Sequence, residues 1–455
     1  MSLSIVILAA GKGSRMKSTI PKIMHKLAGT TLLEHVIATA QTLSPKNMAV
    51  VCGNGVDHVL PLLEANAIKS VMQYEQLGTG HAVMQAEQVF ADTDQVLVLY
   101  GDVPLTQAAT LKALLTCGDK NSLRILTTNM DDPTGYGRIV RNDNGKVICI
   151  TEQKDADQST LAIQEVNSGI MVLPVTWLTQ SLTKLNNNNA QGEYYLTDMV
   201  ALAVEDGLEI NTVCCDDNAE VAGVNTRQQL AELERHYQRS QANELMAKGV
   251  TLADPARIDI RGTLNTGTDI VIDVNVIIEG NVTIGSNVEI GANCIIKDST
   301  IGEGTVILAN SMIDSSDVGA NVNIGPFARL RPGTMLADKA KIGNFVETKN
   351  ANIGQGSKVN HLSYIGDTDM GSNVNIGAGT ITCNYDGAYK HRTTIGDDVF
   401  IGSDSQLVAP ITVEKGATIG AGTTLRKDAP ESALTLTKSQ QKTIEGWKRP
   451  VKIKK

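Results

Sequence analysis

The first stretch able to do chemistry is a loop of small residues interrupted by cations, Leu8-Ala9-Ala10-Gly11-Lys12-Gly13-Ser14-Arg15-Met16, followed by Pro21-Lys22. It comes directly after the apolar run Ser4–Leu8, which reads as a strand, and open parallel sheets bind ligands beyond such strand ends. Small side chains let backbone N–H groups approach a nucleotide closely. Arg15 and Lys22 are suited to neutralise a triphosphate and the charge that grows on a departing pyrophosphate. Two other glycine-rich motifs are excluded. A dinucleotide fingerprint, G-x-G-x-x-G, needs glycine where Met16 stands, and the P-loop pattern G-x-x-x-x-G-K-[ST] is absent. Gly11 and Gly13 alone would fit a tight strand-to-helix turn equally well; Arg15, Pro21 and Lys22 tip the reading towards phosphate chemistry.

A second group of reactive side chains lies far along the chain. Arg331, Lys349, His361, Tyr364 and Asn375 precede Cys383-Asn384-Tyr385-Asp386-Gly387-Ala388-Tyr389-Lys390-His391, a segment that interrupts a regular pattern between Thr382 and Ile395. Breaks in a repeat become exposed loops, and function concentrates there. A lone histidine is more often a satisfied structural residue. His361, inside Gly356–Tyr364 and near several cations, is suited instead to general-base work. His391 reads as a loop histidine with no role, and Cys383 as a packed thiol.

Two kinds of element must position these groups. In the first half, Ser4–Leu8, Ala49–Cys52 and Gln95–Leu99 read as buried strands and Thr31–Ala40 as a helix. This rhythm predicts a Rossmann-like α/β domain with a mostly parallel sheet. In the second half the period is six. Ile272, Ile278, Ile284, Ile290 and Ile296 set it, Val306, Met312, Val318, Ile324, Leu330, Leu336 and Ile342 continue it in a shifted register, and Ile395, Ile401, Leu407, Val413, Ile419 and Leu425 resume it. That is the signature of a hexapeptide parallel β-helix. Three flat faces close a triangular coil, the aliphatic residue points inward, and coils pair only with their neighbours. About nine coils at ~4.8 Å spacing give a prism about 40 Å long. Stacking brings Lys349, His361 and Asn375 near one another. A partly striped helix over Thr226–Lys248, capped by Asn225 or Thr226 and ended by Gly249, joins the halves. The expected domains are 1–227, a helical linker 228–248, and 249–455.

Composition sets outer limits. A chain of 455 residues with 42% apolar and 20% charged residues buries a core and is not disordered. A net charge of −9 argues against a general nucleic-acid binder. The seven cysteines are odd in number and lack a C-x-x-C pair, so neither a disulfide framework nor a zinc site is indicated. The opening residues lack a signal-peptide pattern, and Ile5–Ala10 is too short to span a bilayer, so the chain reads as cytoplasmic.

The loop with Pro21-Lys22 resembles the signature of sugar-nucleotide pyrophosphorylases. The resemblance extends through Gln73-Tyr74-Glu75-Gln76-Leu77-Gly78-Thr79-Gly80-His81-Ala82, Tyr100-Gly101-Asp102-Val103-Pro104, Asp132-Pro133-Thr134-Gly135-Tyr136-Gly137-Arg138, Glu152, Asn167 and Val224-Asn225. With the hexapeptide half it covers essentially the whole chain, which resembles the family of bifunctional N-acetylglucosamine-1-phosphate uridyltransferases and glucosamine-1-phosphate N-acetyltransferases. The resemblance implies that Leu8, Ala9, Ala10, Gly11, Lys22, Gln73, Gly78, Thr79, Tyr100, Gly101 and Asp102 hold the nucleotide. It implies that Gly137, Glu152 and Asn167 hold the N-acetylglucosamine moiety. Asp102 and Asn225 match residues that bind Mg²⁺, and Arg15 and Lys22 assist transfer. In the second half His361 matches the catalytic base. Arg331, Lys349, Tyr364, Asn375 and Lys390 match the sugar-phosphate site, and Ala378, Asn384, Tyr385, Ser403 and Ala421 the acetyl-coenzyme A site. Lys438 stands where the family usually presents arginine; it keeps the charge but lacks the bidentate fork.

The same resemblance implies the left-handed coil, since crossover rules alone suggest the opposite hand. It also implies a homotrimer with acetyl sites between neighbouring β-helices. The substrates it implies are UTP, N-acetylglucosamine 1-phosphate, glucosamine 1-phosphate and acetyl-coenzyme A, with a product that feeds peptidoglycan and lipopolysaccharide synthesis. Two other functions compete. One is a nucleotidyltransferase whose β-helix only assembles or regulates it, as ADP-glucose pyrophosphorylases are arranged; His361 and the Asn384-Tyr385 insert argue against it. The other is a non-catalytic sugar-nucleotide scaffold, opposed by Asp102 with Asn225 and by Arg15 with Lys22.

Overall fold

The computed structural model describes residues 2–53, 55–438 and 440–452. Lys454 and Lys455 of the lysine-rich tail lie outside the described residues. The chain divides into two compact units, Met1–Gln238 and Arg239–Lys455. The division falls within the helix Arg227–Ala247.

The first unit is built on a nine-stranded sheet. Strand Leu3–Ala9 lies inside the sheet, parallel to Gln95–Tyr100 on one side and to Asn47–Cys52 on the other. Lys69–Met72 extends the parallel set. Glu165–Pro174 runs antiparallel between Gln95–Tyr100 and Leu123–Asn129, and Ile210–Cys215 pairs in parallel with Leu123–Asn129. A hairpin, Arg138–Arg141 with Val147–Thr151, branches from this side. The central strands read as continuous apolar runs because both faces are covered. Helix Leu32–Gln41 packs Leu32, Leu33, Val36, Ile37 and Ala40 inward. Thr31 caps it by accepting from the Glu34 N–H, and Glu34 reaches back to the Thr31 N–H at 2.8 Å. This reciprocal box fixes where the chain turns after the phosphate-type loop.

The second unit is a left-handed parallel β-helix of hexapeptide repeats. One face stacks Ile272, Ile290, Ile307, Ile324, Ile342, Val359, Ile376, Ile401 and Ile419, each in register with the next. All nine are buried, and together with the other faces they form one continuous apolar core. Two readings of the repeat need correction. Val306 and Met312 do not point inward; Ile307 and Ile313 do, and Met312 is 45% exposed. The period shortens to five between Ile296 and Ile301 and between Ile313 and Val318, so the register slips there. The coil count is also larger than nine, since the isoleucine-lined face has eleven strands, from Thr251–Leu252 to Leu434–Thr435. These terminal strands lack the aliphatic-Gly signature that makes the inner ones visible.

One corner of this prism is unusual. Most left-handed corner positions carry Asn, Asp or Gly, which tolerate positive φ. Phe327, Phe345 and Leu362 occupy three such positions in succession, at φ 55°, 57° and 49°. All three are at least half exposed, and the two phenyl rings stack at 5.4 Å.

Candidate active sites

The parallel strands of the first unit end at Ala9, Cys52, Met72 and Tyr100, and a pocket of about 400 Å³ opens beyond these ends. Its lining includes Leu8, Ala9, Ala10, Gly11, Lys22, Gln73, Gly78, Thr79, Tyr100 and Asp102, ten residues picked out from the sequence. Gly78 is there for a steric reason. Its φ is +109°, and a Cβ would stand 2.5 Å from the Tyr194 carbonyl oxygen. Gln73, almost wholly buried, donates through Nε2 to the Gly78 carbonyl at 3.0 Å, which shapes the same loop. Gly101 lies just behind the pocket wall, packed against Ala9, Ile23 and Leu33.

The Lys22 ammonium bridges Asp102 Oδ2 and, at 2.9 Å, Asn225 Oδ1. Two oxygen ligands separated by about half of the unit's sequence therefore converge on one point that already holds a cation. This donor set fits a hard divalent ion that keeps several waters. Among the described residues no group of three or more His, Cys, Asp or Glu side chains could hold a metal ion. Arg15 is placed differently. It lies exposed on the short helical turn Ser14–Met16 and does not line the pocket.

Gly137, Glu152 and Asn167 form a separate cluster outside that lining. The Asn167 N–H donates to the Gly137 carbonyl at 2.9 Å. A Cβ on Gly137 would come within 3.4 Å of both Glu152 oxygens. Thr197 donates to Glu152 Oε1 at 3.1 Å. Burial pushes the Glu152 carboxyl above the usual range, and Asp155 and Asp198 add like charge. Tyr100 relates the two clusters: burial raises its hydroxyl, and both Glu152 and Asp102 act on it in the same direction. Lys12, Ile23, Gln76, Ala82 and Glu193 also line the pocket and had no assigned role. Gln76 is informative, because its Nε2 is buried without a protein partner and faces a site that could supply one.

In the second unit the strand register puts Asn344 beside His361. Two residues beyond the paired Ile376, Ile401 and Ile419 stand Ala378, Ser403 and Ala421, so the same column continues one coil at a time. Backbone bonds link its members. Gly379 N–H donates to the His361 carbonyl at 3.2 Å, Asp404 N–H to Ala378 at 2.7 Å, and Gly422 N–H to Ser403 at 2.8 Å. His361 is exposed, and its Nδ1 faces Asn344 Oδ1 at 2.9 Å. With that acceptor opposite Nδ1, the neutral ring carries its proton there and leaves the lone pair on Nε2.

Around a neighbouring edge Arg331, Lys349 and Lys390 come together. Arg331 aligns with Lys349 one coil on, and its Nη1 donates to Glu347 Oε1 at 2.7 Å. The Lys390 ammonium in contact with Lys349 lowers that lysine from its ordinary value, with desolvation and then Arg331 adding to the effect. Tyr364 and Asn384 meet through Asn384 Nδ2 and the Tyr364 hydroxyl, at 3.5 Å. Asn384 also donates to Asp367. Asn375 is half-buried on the strand beside Lys358. Tyr385 and Lys390 pair across the insert, and Lys438 is exposed beyond the last coil.

Residues 5–170 match the MobA-like NTP transferase domain family, 260–351 the GMPPB C-terminal domain, and 392–427 the bacterial transferase hexapeptide family. Fold and sites together define a two-headed transferase: a nucleotidyltransferase unit followed by a hexapeptide acyltransferase unit. The Bifunctional protein GlmU of Marinobacter nauticus is 55% identical over 450 residues, covering 99% of each chain. Those of Burkholderia vietnamiensis and Pseudomonas syringae pv. tomato are 57% and 56% identical, covering 99% and 100% of this chain and all of the relative. The chain belongs to the family of bifunctional GlmU proteins. It serves UDP-N-acetylglucosamine synthesis, with uridylyl transfer in the first unit and acetyl transfer in the second. The nucleotidyltransferase family works with a divalent metal. No described helix is long and apolar enough to cross a membrane.

Proposed function

We propose a division of labour among these residues. Leu8–Gly11, Gln73, Gly78 and Thr79 take the uracil and ribose of UTP, and Gly137, Glu152 and Asn167 take the sugar of N-acetylglucosamine 1-phosphate. A phosphate oxygen of the sugar attacks the α-phosphorus of UTP in line, a new P–O bond forms, and the bond to pyrophosphate breaks. That nucleophile is already anionic, so positioning and charge neutralisation suffice and no strong base is required. Lys22 lies on the pocket wall and Arg15 on the adjoining turn, both suited to the phosphates. Asp102 and Asn225 hold Mg²⁺, which when bound offsets the negative charge of the triphosphate.

In the second unit His361 Nε2 takes a proton from the amine of glucosamine 1-phosphate as the nitrogen attacks the thioester carbon. The tetrahedral oxyanion collapses, the C–S bond breaks, and coenzyme A leaves as a thiol after receiving a proton. Direct transfer needs no acetyl-cysteine. Arg331, Lys349 and Lys390 face the sugar phosphate, with Tyr364 and Asn375 nearby. Acetyl-coenzyme A lies along Ala378, Ser403 and Ala421, flanked by Asn384 and Tyr385, and Lys438 meets its phosphates. Acetylation comes first, and N-acetylglucosamine 1-phosphate then reaches the first unit through solution. The product feeds cell-wall synthesis in the cytoplasm. The exposed Phe327, Phe345 and Leu362 favour self-association, since three large apolar side chains in a strained corner need a covering surface, and the family resemblance makes that assembly a homotrimer.

The column from Asn344 through His361 to Ala421 carries this reading, because it puts an oriented base at one end of a continuous track. The test is thiol release from acetyl-coenzyme A with glucosamine 1-phosphate present and UTP absent. Release that depends on the amine and falls at least about a hundredfold in His361→Ala supports it. Release that persists in His361→Ala sinks the assignment of the base.

A further inference from the structure

We propose that Asp386 and His391 are positioning residues for acetyl transfer, closing the insert into a buckle that presents Lys390 beside Lys349. The proposal rests on the acetyl-site reading above. Lys390 stands in an exposed segment whose near foot, Asn384, is bound to Asp367, the residue after the Gly366 that pairs with Lys349; the Tyr385–Lys390 bridge sets Lys390 across from that foot, where it meets the like charge of Lys349 and Arg331. Like charges repel, and a free lysine side chain gains entropy by swinging into water. Something must offset both costs before the phosphate arrives.

The loop supplies it. Asp386 Oδ1 accepts from the Ala388 and Tyr389 N–H groups at 2.8 and 2.7 Å, and Oδ2 faces His391 Nε2 at 2.7 Å. The Asp386 N–H donates to the Tyr389 carbonyl at 3.2 Å, and the His391 N–H to the Asn384 carbonyl at 2.8 Å. The Tyr385 hydroxyl donates to the Gly387 carbonyl at 2.6 Å. Both feet of the insert are tied to the β-helix, through Asn384 with Asp367 and Arg392 with Asp369. One exposed ion pair contributes little. Here the carboxylate gathers three partners, Ala388 and Tyr389 on the turn between Tyr385 and Lys390 and His391 just beyond it, so removing it loosens the turn at three points together. Bonds to a carboxylate are also stronger than neutral ones. His391, which the sequence leaves without a role, acquires one as the far clasp of that turn.

The experiment uses the full-length enzyme and steady-state acetyl transfer. Asp386→Ala is expected to raise KM for glucosamine 1-phosphate about tenfold while kcat changes by less than about threefold. Asp386→Asn, which keeps an acceptor for Ala388 and Tyr389, should recover most of the loss, and His391→Gln should resemble it. Uridylyl transfer by the same preparations should be unchanged. Lys390→Ala should raise the same KM, and adding Asp386→Ala to it should cost little more, because the two act through one contact. Additive losses, or a wild-type KM in Asp386→Ala beside a raised one in Lys390→Ala, overturn the proposal. An unaltered KM in Lys390→Ala overturns the sugar-phosphate assignment beneath it, and the buckle with it.

Discussion

At the scale of single residues, carboxylates do opposite work in the first unit. Asp102 is paired with the Lys22 ammonium, whereas Glu152 is kept from water and its protonated form is favoured. Asp102→Ala should reduce uridylyl transfer at least a thousandfold in a pyrophosphate-release assay while acetyl transfer continues; near-normal release would remove the metal role from this residue. Glu152 links stability to pH. Its folded pKa is raised, so its contribution is fully present below the ordinary glutamate value and is lost as pH rises through the folded one. Glu152→Gln should therefore melt above wild type at pH 8, with the gap closing towards pH 4, and should raise KM for N-acetylglucosamine 1-phosphate. Equal melting points at both pH values would contradict the burial account. The phosphate-type loop and Asp102 were legible because their types and spacing carry the chemistry. Glu193, Thr197 and the free amide of Gln76 were not. Glu193 ends a polar asparagine-rich loop with no period, and only the tertiary fold brings it to the pocket.

At the scale of elements, the hexapeptide pattern was legible from its isoleucines, yet the register was lost wherever a coil was one residue short. Val306-Ile307 and Met312-Ile313 each offer two adjacent apolar residues, and periodicity alone selects the wrong one after a five-residue step. The structural distinction has a measurable price. Ile313→Ala should destabilise the second unit by about 2–5 kcal/mol, because a buried side chain is replaced by a cavity. Met312→Ala, at an exposed position, should change it by no more than ~0.5 kcal/mol. Urea titration followed by acetyl transfer would compare them, and equal losses would restore the original register. The sheet of the first unit was visible in its buried runs. The antiparallel direction of Glu165–Pro174 was not, because direction in a buried sheet leaves no mark on composition.

At the scale of the molecule, two units with separate apolar cores carry separate chemistries. Heat or denaturant should abolish the two activities at different midpoints, since each core can fail without the other. Coincident loss at several denaturant concentrations would show a single cooperative unit.

The column through His361 has a consequence for how such an enzyme can change. Its members are spaced by the rise between stacked strands, about 4.8 Å. Under the proposed assignment the solenoid therefore behaves as a graduated rule, with the base fixed at one mark and the donor laid along the next few. Reactive atoms must meet within a few tenths of an ångström, so inserting or deleting a whole coil between those marks moves the donor by a step that chemistry cannot absorb. Lineages can lengthen such a rule at its ends, or hang new loops from its corners, but the graduations between His361 and Ala421 are not free to slide.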